Sequence, residues 1–252
     1  MSELPDVAIP LPARPWLVPE LLRDQDCLIV TGRPGTGKSW LLYQLALCCA
    51  AGRHLWGGQP VRPVTTFYID LGRRLPAVRR RMALLARAAG LPPELVADSG
   101  TEGEILQVMS RPQGLDLLCP GQSEWLLGTV LDAGAELVIL SPLHLGALSP
   151  EGTAQVLAVL DSLRAKCRCT LVIETSAIKS IRGPASLKPG RDPTLLHWPE
   201  LGLGLRPAPG QPEPPELFEL ACWRAVHHAN RGWPAWLRRR GNLWVPAVPG
   251  PY

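Results

Sequence analysis

Eight consecutive residues, Gly32-Arg33-Pro34-Gly35-Thr36-Gly37-Lys38-Ser39, carry the most specific chemistry in this 252-residue chain. They match the spacing G-x-x-x-x-G-K-[ST], in which glycines open backbone conformations closed to other residues so that several N–H groups converge on one phosphate. Lys38 supplies a point charge to the terminal phosphates, and the Ser39 hydroxyl is placed to ligate Mg²⁺. With the adjoining Trp40, these residues form the expected cofactor contacts, and the expected ligands are ATP and Mg²⁺. The chemistry demands a strand before the loop and a helix after it, so that the anion sits on the positive end of the helix.

The flanking pattern supplies both. Cys27–Thr31 reads as a buried strand and Lys38–Ala51 as a helix. Further strands are expected at Thr65–Asp70, Ile105–Met109, Glu136–Leu140 and Thr170–Glu174, and further helices at Leu75–Ala89, Ser123–Ala133 and Thr153–Cys167. Strands separated by helices of this length run parallel through right-handed crossovers. The fold class is therefore α/β, a mostly parallel sheet flanked by helices, with the ligand crevice at the carboxyl ends of the strands. Residues 1–20 carry five prolines and read as an extended lead-in. Beyond about residue 195 the chain becomes β-rich, with short antiparallel strands expected at Leu201–Leu205, Glu216–Ala221 and Leu243–Val245, the first two split by the proline-rich loop Pro207–Pro215.

The length suits one domain spanning 1–252, since a second full core has no room. No uninterrupted apolar stretch is long enough to span a bilayer, and Met1–Pro10 lacks the basic start and apolar run of a signal segment, so a cytoplasmic protein is expected. Seven cysteines, an odd number without C-x-x-C spacing, read as reduced thiols, mostly within the core. A net charge of +4 permits nucleic-acid binding without requiring it.

Taken together, these segments resemble the RecA-like hexameric ATPases typified by the RepA plasmid helicases, in the DnaB and KaiC lineage. The resemblance rests on the lead-in Pro15-Trp16-Leu17-Val18-Pro19, the glycine-rich loop, the strand Thr66-Phe67-Tyr68-Ile69-Asp70 followed by a helix bearing Arg79, Arg80 and Arg81, the Walker B-like strand Ala135–Leu143, and the sensor-like strand Thr170–Ser176. It implies a RecA-like P-loop NTPase, an oligomeric ATPase or helicase-related factor of plasmid, phage or mobile-element DNA replication. A hexameric ring is implied with it. The family carries a catalytic glutamate after the second strand, an aspartate closing the Walker B strand and a histidine ending the sensor strand. The matching positions here are Gly72 or Leu71, Ser141 and Ser176. Loss of both carboxylates removes water polarisation and magnesium positioning while leaving phosphate binding largely intact. The alternative function is therefore a nucleotide-binding pseudo-ATPase that orders an oligomer or partner surface with little hydrolysis.

Two acidic residues stand near the lost positions, and each admits two readings. Asp70 either orients water or magnesium or caps the turn after its strand; Glu174 either does the same or balances a lysine such as Lys179. With Lys38 they are the catalytic candidates, and Ser141 is a candidate contact to a magnesium-bound water. By resemblance, Arg224 and Arg231 are candidates for the basic residue that a subunit offers to its neighbour's γ-phosphate. His227 and His228 lack a third zinc ligand at suitable spacing. Single-stranded DNA is a possible partner through Arg79–Arg81 with Arg87, through Lys179–Lys188, and through Arg238–Arg240, which is flanked by Trp233, Trp236 and Trp244. For those tryptophans packing is the competing role.

Overall fold

A computed structural model of the chain describes residues 14–57, 59–97, 104–145, 148–177, 187–210, 214–226 and 231–248. The N-terminal half contains β1 (Trp16–Val18), β2 (Leu22–Arg23), β3 (Cys27–Gly32), α1 (Lys38–Ala50), β4 (Thr66–Asp70), α2 (Leu75–Ala88), α3 (Glu94–Ala97), β5 (Leu106–Ser110) and α4 (Pro120–Ala133). There follow β6 (Leu137–Ser141), α5 (Pro150–Cys167), β7 (Thr170–Glu174), α6 (Pro193–His197), β8 (Leu201–Pro207), β9 (Leu217–Ala225), β10 (Trp236–Arg240) and β11 (Leu243–Pro246).

Nine strands form one sheet in the order β11, β10, β9, β8, β3, β7, β6, β4, β5, and β1 pairs with β2 in a separate two-stranded sheet. From β8 to β5 every neighbour is parallel; from β8 to β11 every neighbour is antiparallel. This is the mostly parallel, helix-flanked architecture expected from the alternation of patterns, with one correction. The strand at Leu201 is not purely antiparallel: β8 runs parallel to β3, Leu28 facing Leu201 and Gly32 facing Leu205, while its other edge receives β9 antiparallel. The glycines of Leu201–Leu205 explain the arrangement. A Cβ at Gly202 would lie 2.5 Å from the Trp223 ring and one at Gly204 would lie 2.4 Å from the Leu187 side chain, so both positions are packing sites against bulky neighbours.

The two faces of the sheet make two cores. Leu28, Val30, Tyr68, Leu137, Ile139 and Val172 face α1 and α2, and Ile29, Phe67, Ile69, Val138, Leu140, Leu171 and Ile173 face α4 and α5. Helix α1 is apolar on nearly every side (Leu41, Leu42, Tyr43, Leu45, Ala46, Leu47), and twelve of its residues are buried. It can be so because the sheet, α2 and β11 cover it from different directions. Within the described part of the opening segment, β1 and β2 pair as an antiparallel hairpin. Among the described residues no helix is long and apolar enough to cross a membrane.

Candidate nucleotide-binding site

The loop Gly32–Ser39 joins the end of the central strand β3 to the first residue of α1, the junction that phosphate binding requires. Three of its glycines have positive φ, and at two of them the space for a Cβ is closed as well. Gly37 has φ 93°, the left-handed region, and a Cβ there would lie 2.6 Å from the ring of Trp244. Gly32 has φ 154°, and a Cβ there would lie 2.5 Å from the carbonyl oxygen of Leu205 in β8. Thr36 Oγ1 donates to the Arg33 carbonyl at 2.9 Å and so braces the turn. Arg33, Pro34 and Gly35 are exposed at its crest, while Thr36, Lys38 and Ser39 are buried.

Lys38 is 5% exposed and its ammonium donates to the carbonyls of Gly32 and Arg33, each at 3.1 Å. Its third neighbour is Glu174 Oε1 at 3.6 Å, from the end of β7. Glu174 in turn accepts a 2.5 Å hydrogen bond from Ser141 Oγ, at the end of β6. Burial lowers the Lys38 pKa, with Glu174 opposing that shift and Arg73 adding to it. The lysine partner of Glu174 is thus the loop lysine, 136 positions away in sequence; Lys179 lies outside the described residues.

Asp70, Ser141 and Glu174 form a row across three adjacent strands on the face that α1 covers. Asp70 pairs in register with Ser141, and Leu140 with Ile173 places Ser141 level with Glu174. Asp70 closes the turn after β4: its Oδ1 accepts from the backbone N–H groups of Gly72 and Arg73 at 2.9 and 2.7 Å, and its Oδ2 accepts from the Tyr43 hydroxyl at 2.6 Å. Arg73 Nη1 lies 3.5 Å from Oδ2. This wholly buried carboxylate accepts three hydrogen bonds and has Arg73 beside it, contacts that match the reading in which it caps the turn after its strand. Burial and the Asp70 charge push the Tyr43 hydroxyl pKa upward. Gly72 is exposed, Leu71 is buried and Ser176 is half-buried beyond β7.

The remaining candidates lie elsewhere. Trp40 is half-buried, edge-on to Tyr43 at 6.4 Å and beneath the Arg81 guanidinium at 5.5 Å. Arg224 on β9 donates to the carbonyls of His197 and Pro199, opposite Gly202, three residues short of the loop end of the sheet. Arg231 is 7% exposed and ion-paired with Asp26 at 2.5 Å, immediately before β3 and so about 20 Å from the loop. Its charge is paired inside its own chain, which supports a structural role beside its reading as a finger offered to a neighbour. His227 and His228 and most of Lys179–Lys188 lie outside the described residues.

Two of the tryptophans near Arg238–Arg240, Trp244 and Trp233, pack. Trp244 is 1% exposed, stands edge-on to Phe218 at 4.8 Å, and donates from Nε1 to the Gly37 carbonyl at 3.3 Å. Its backbone N–H and C=O exchange hydrogen bonds with the Gln44 side chain at 2.8 and 2.9 Å. Trp233 donates to the Leu21 carbonyl at 3.0 Å. The segment Trp236–Arg240 is itself strand β10, an element its run of arginines concealed. Arg73 and Trp244 are the two site residues that sequence reasoning missed, since neither stands at a motif position.

The arrangement fits a polyphosphate: glycines where a Cβ would obstruct, a helix N-terminus, and a buried ammonium aimed into the loop. Among the described residues no group of three or more His, Cys, Asp or Glu side chains could hold a metal ion. Magnesium carried by a nucleotide would find oxygen donors in the Ser39 hydroxyl and the Ser141–Glu174 pair.

The chain is similar in structure to the crystal structure of the RadB recombinase, with a TM-score of 0.58 at 15% identity, covering 89% of this chain and 92% of that one. No curated protein matches it in sequence. The model of the AAA domain family matches residues 3–176, which hold the loop, both carboxylates and all strands from β1 to β7. The chain belongs to the AAA domain family, with the RecA-like P-loop fold of a nucleotide-binding ATPase.

Proposed function

We propose that the chain binds ATP with Mg²⁺ through Gly32–Ser39 and hydrolyses it slowly, so that the bound nucleotide acts mainly by ordering an oligomer or a partner surface. The observation that carries this reading is the buried series Lys38, Glu174, Ser141. The carboxylate beside the loop stands buried on β7 and is held by a serine on one side and the loop lysine on the other. Magnesium supplies charge neutralisation at the phosphates. Glu174 then replaces the aspartate that the resemblance places on β6, one strand away in the same row, while Asp70, the other acid of that row, is occupied with its turn.

The second reading, a DNA-stimulated helicase-related ATPase of mobile-element replication, draws support from the exposed Arg74, Arg80 and Arg87 along α2 and from the resemblance to RepA-type rings. Nucleotide titration beside steady-state phosphate release, with and without single-stranded DNA, separates the two. Binding without appreciable turnover in either condition supports the first. Turnover that single-stranded DNA raises and Lys38→Ala abolishes supports the second. In both, Lys38→Ala lowers ATP affinity by about 10- to 100-fold, the worth of one charge-assisted contact. Wild-type protein that retains no nucleotide at millimolar concentration would sink both readings.

A further inference from the structure

The turn between β4 and α2 holds a cation that the motif does not call for. Asp70 fixes that turn from below through the backbone N–H groups of Gly72 and Arg73. Leu71 N–H donates to the Ser141 carbonyl at 2.7 Å, and Ser110 Oγ donates to the Arg73 carbonyl. Main chain that is pinned from three strands has little freedom, so the Arg73 side chain leaves it in a defined direction. That side chain is 32% exposed, and one edge of its guanidinium faces Asp70 at 3.5 Å, beyond the usual hydrogen-bond range.

We propose that Arg73 is a nucleotide-contact residue that donates to the terminal phosphate of a nucleoside triphosphate held by its own chain. The inference rests on the reading of Gly32–Ser39 as the phosphate loop. Asp70, Ser141 and Glu174 lie in one row, and Glu174 contacts Lys38, so the row joins the Arg73 turn to the loop lysine. Electrostatics agree with the placement. Burial disfavours the Arg73 charge, but Tyr43, Asp70, Glu174 and Tyr68 together outweigh it and raise the pKa, while Lys38 feels Arg73 as a neighbouring positive charge. Two cations therefore border a crevice at the carboxyl end of the sheet, one from the loop and one from the turn after β4. A planar guanidinium with five donors can keep one edge on Asp70 and present another to phosphate oxygens. A triphosphate would reach both cations, whereas a diphosphate would reach the loop lysine alone.

The test is the ratio of ATP to ADP affinity, measured by titration with Mg²⁺ on wild type, Arg73→Gln and Arg73→Lys. Arg73→Gln is expected to weaken ATP about 10-fold and to leave ADP within about 2-fold of wild type. Retained ADP binding shows at once that the variant is folded. Arg73→Lys, which keeps a charge against Asp70, is expected to lose part of the ATP preference and answers by the same ratio if Arg73→Gln does not fold. Equal losses for both nucleotides would mean that Arg73 only supports the turn, and no loss for either would mean that it faces solvent; either outcome overturns the inference while the phosphate loop stands. Wild type that binds neither nucleotide removes loop and inference together.

Discussion

Glu174→Gln removes one charge from a pair with almost no water around it. At 3.6 Å two unit charges in an effective dielectric near 20 attract by about 4 to 5 kcal/mol. Losing one member of a buried pair costs about 3 to 5 kcal/mol. The glutamine oxygen still accepts from Ser141, so the loss is carried by charge and not by shape. Lys38 responds by shedding its proton more readily, because burial already lowers its pKa from 10.5 and Glu174 is the main influence opposing that shift. A base with a depressed folded pKa contributes stability that is present above its unfolded value and is lost as pH falls through the folded one. The Lys38 contribution should therefore climb as pH rises toward 10.5, more steeply in the variant. Burial raises the pKa of Cys27, Cys49, Tyr43 and Tyr68 and pulls the other way in both proteins, so the stability deficit of the variant should narrow as pH rises. Urea unfolding without nucleotide, from about pH 6 to pH 10, measures both effects. A loss below about 1 kcal/mol at neutral pH, with an unchanged pH slope, would place the pair in solvent and refute the reasoning.

Restoring an aspartate on β6 is not a simple repair: Ser141→Asp sets a carboxylate against Glu174 where only a hydroxyl fits, so the single variant should lose stability, and Ser141→Asp with Glu174→Gln should recover it and release phosphate faster than wild type. Equal rates in double variant and wild type would argue against Ser141 as the magnesium-side position. Trp244→Ala should cost about 3 to 5 kcal/mol and weaken nucleotide binding as well, read by thermal melting and titration, because the ring supports the Gly37 peptide. Arg231→Ala should destabilise by about 3 to 5 kcal/mol through the orphaned Asp26 while leaving ATP affinity unchanged; a selective loss of turnover without loss of stability would favour its reading as a finger.

The loop and the parallel half of the sheet were legible because their signals are local. Glycine spacing, β-branched runs such as Thr170–Glu174 and helical periodicity each sit within a few residues. What was hidden depends on partners far along the chain. Glu174 pairs on sequence grounds with a nearby lysine such as Lys179 until β7 lies beside β3 and brings it to Lys38. Leu201–Leu205 reads as a short antiparallel strand, because its glycines say nothing of the parallel pairing with β3 until Trp223 and Leu187 are packed on them. Trp236–Arg240 shows only Leu237 inward, so its alternation was masked by three arginines. Arg73 belongs to a turn whose geometry Asp70 dictates, and no residue type at that position signals it.

The contact between Gly37 and Trp244 joins residues 207 positions apart. A chain still emerging from the ribosome can therefore make the whole phosphate loop long before it makes the ring that presses against it. Fragments ending near residue 176, where the family match stops, hold every motif residue yet lack that support. On the proposed function, chains that stop before Trp244 would hold ATP less tightly than chains that include it.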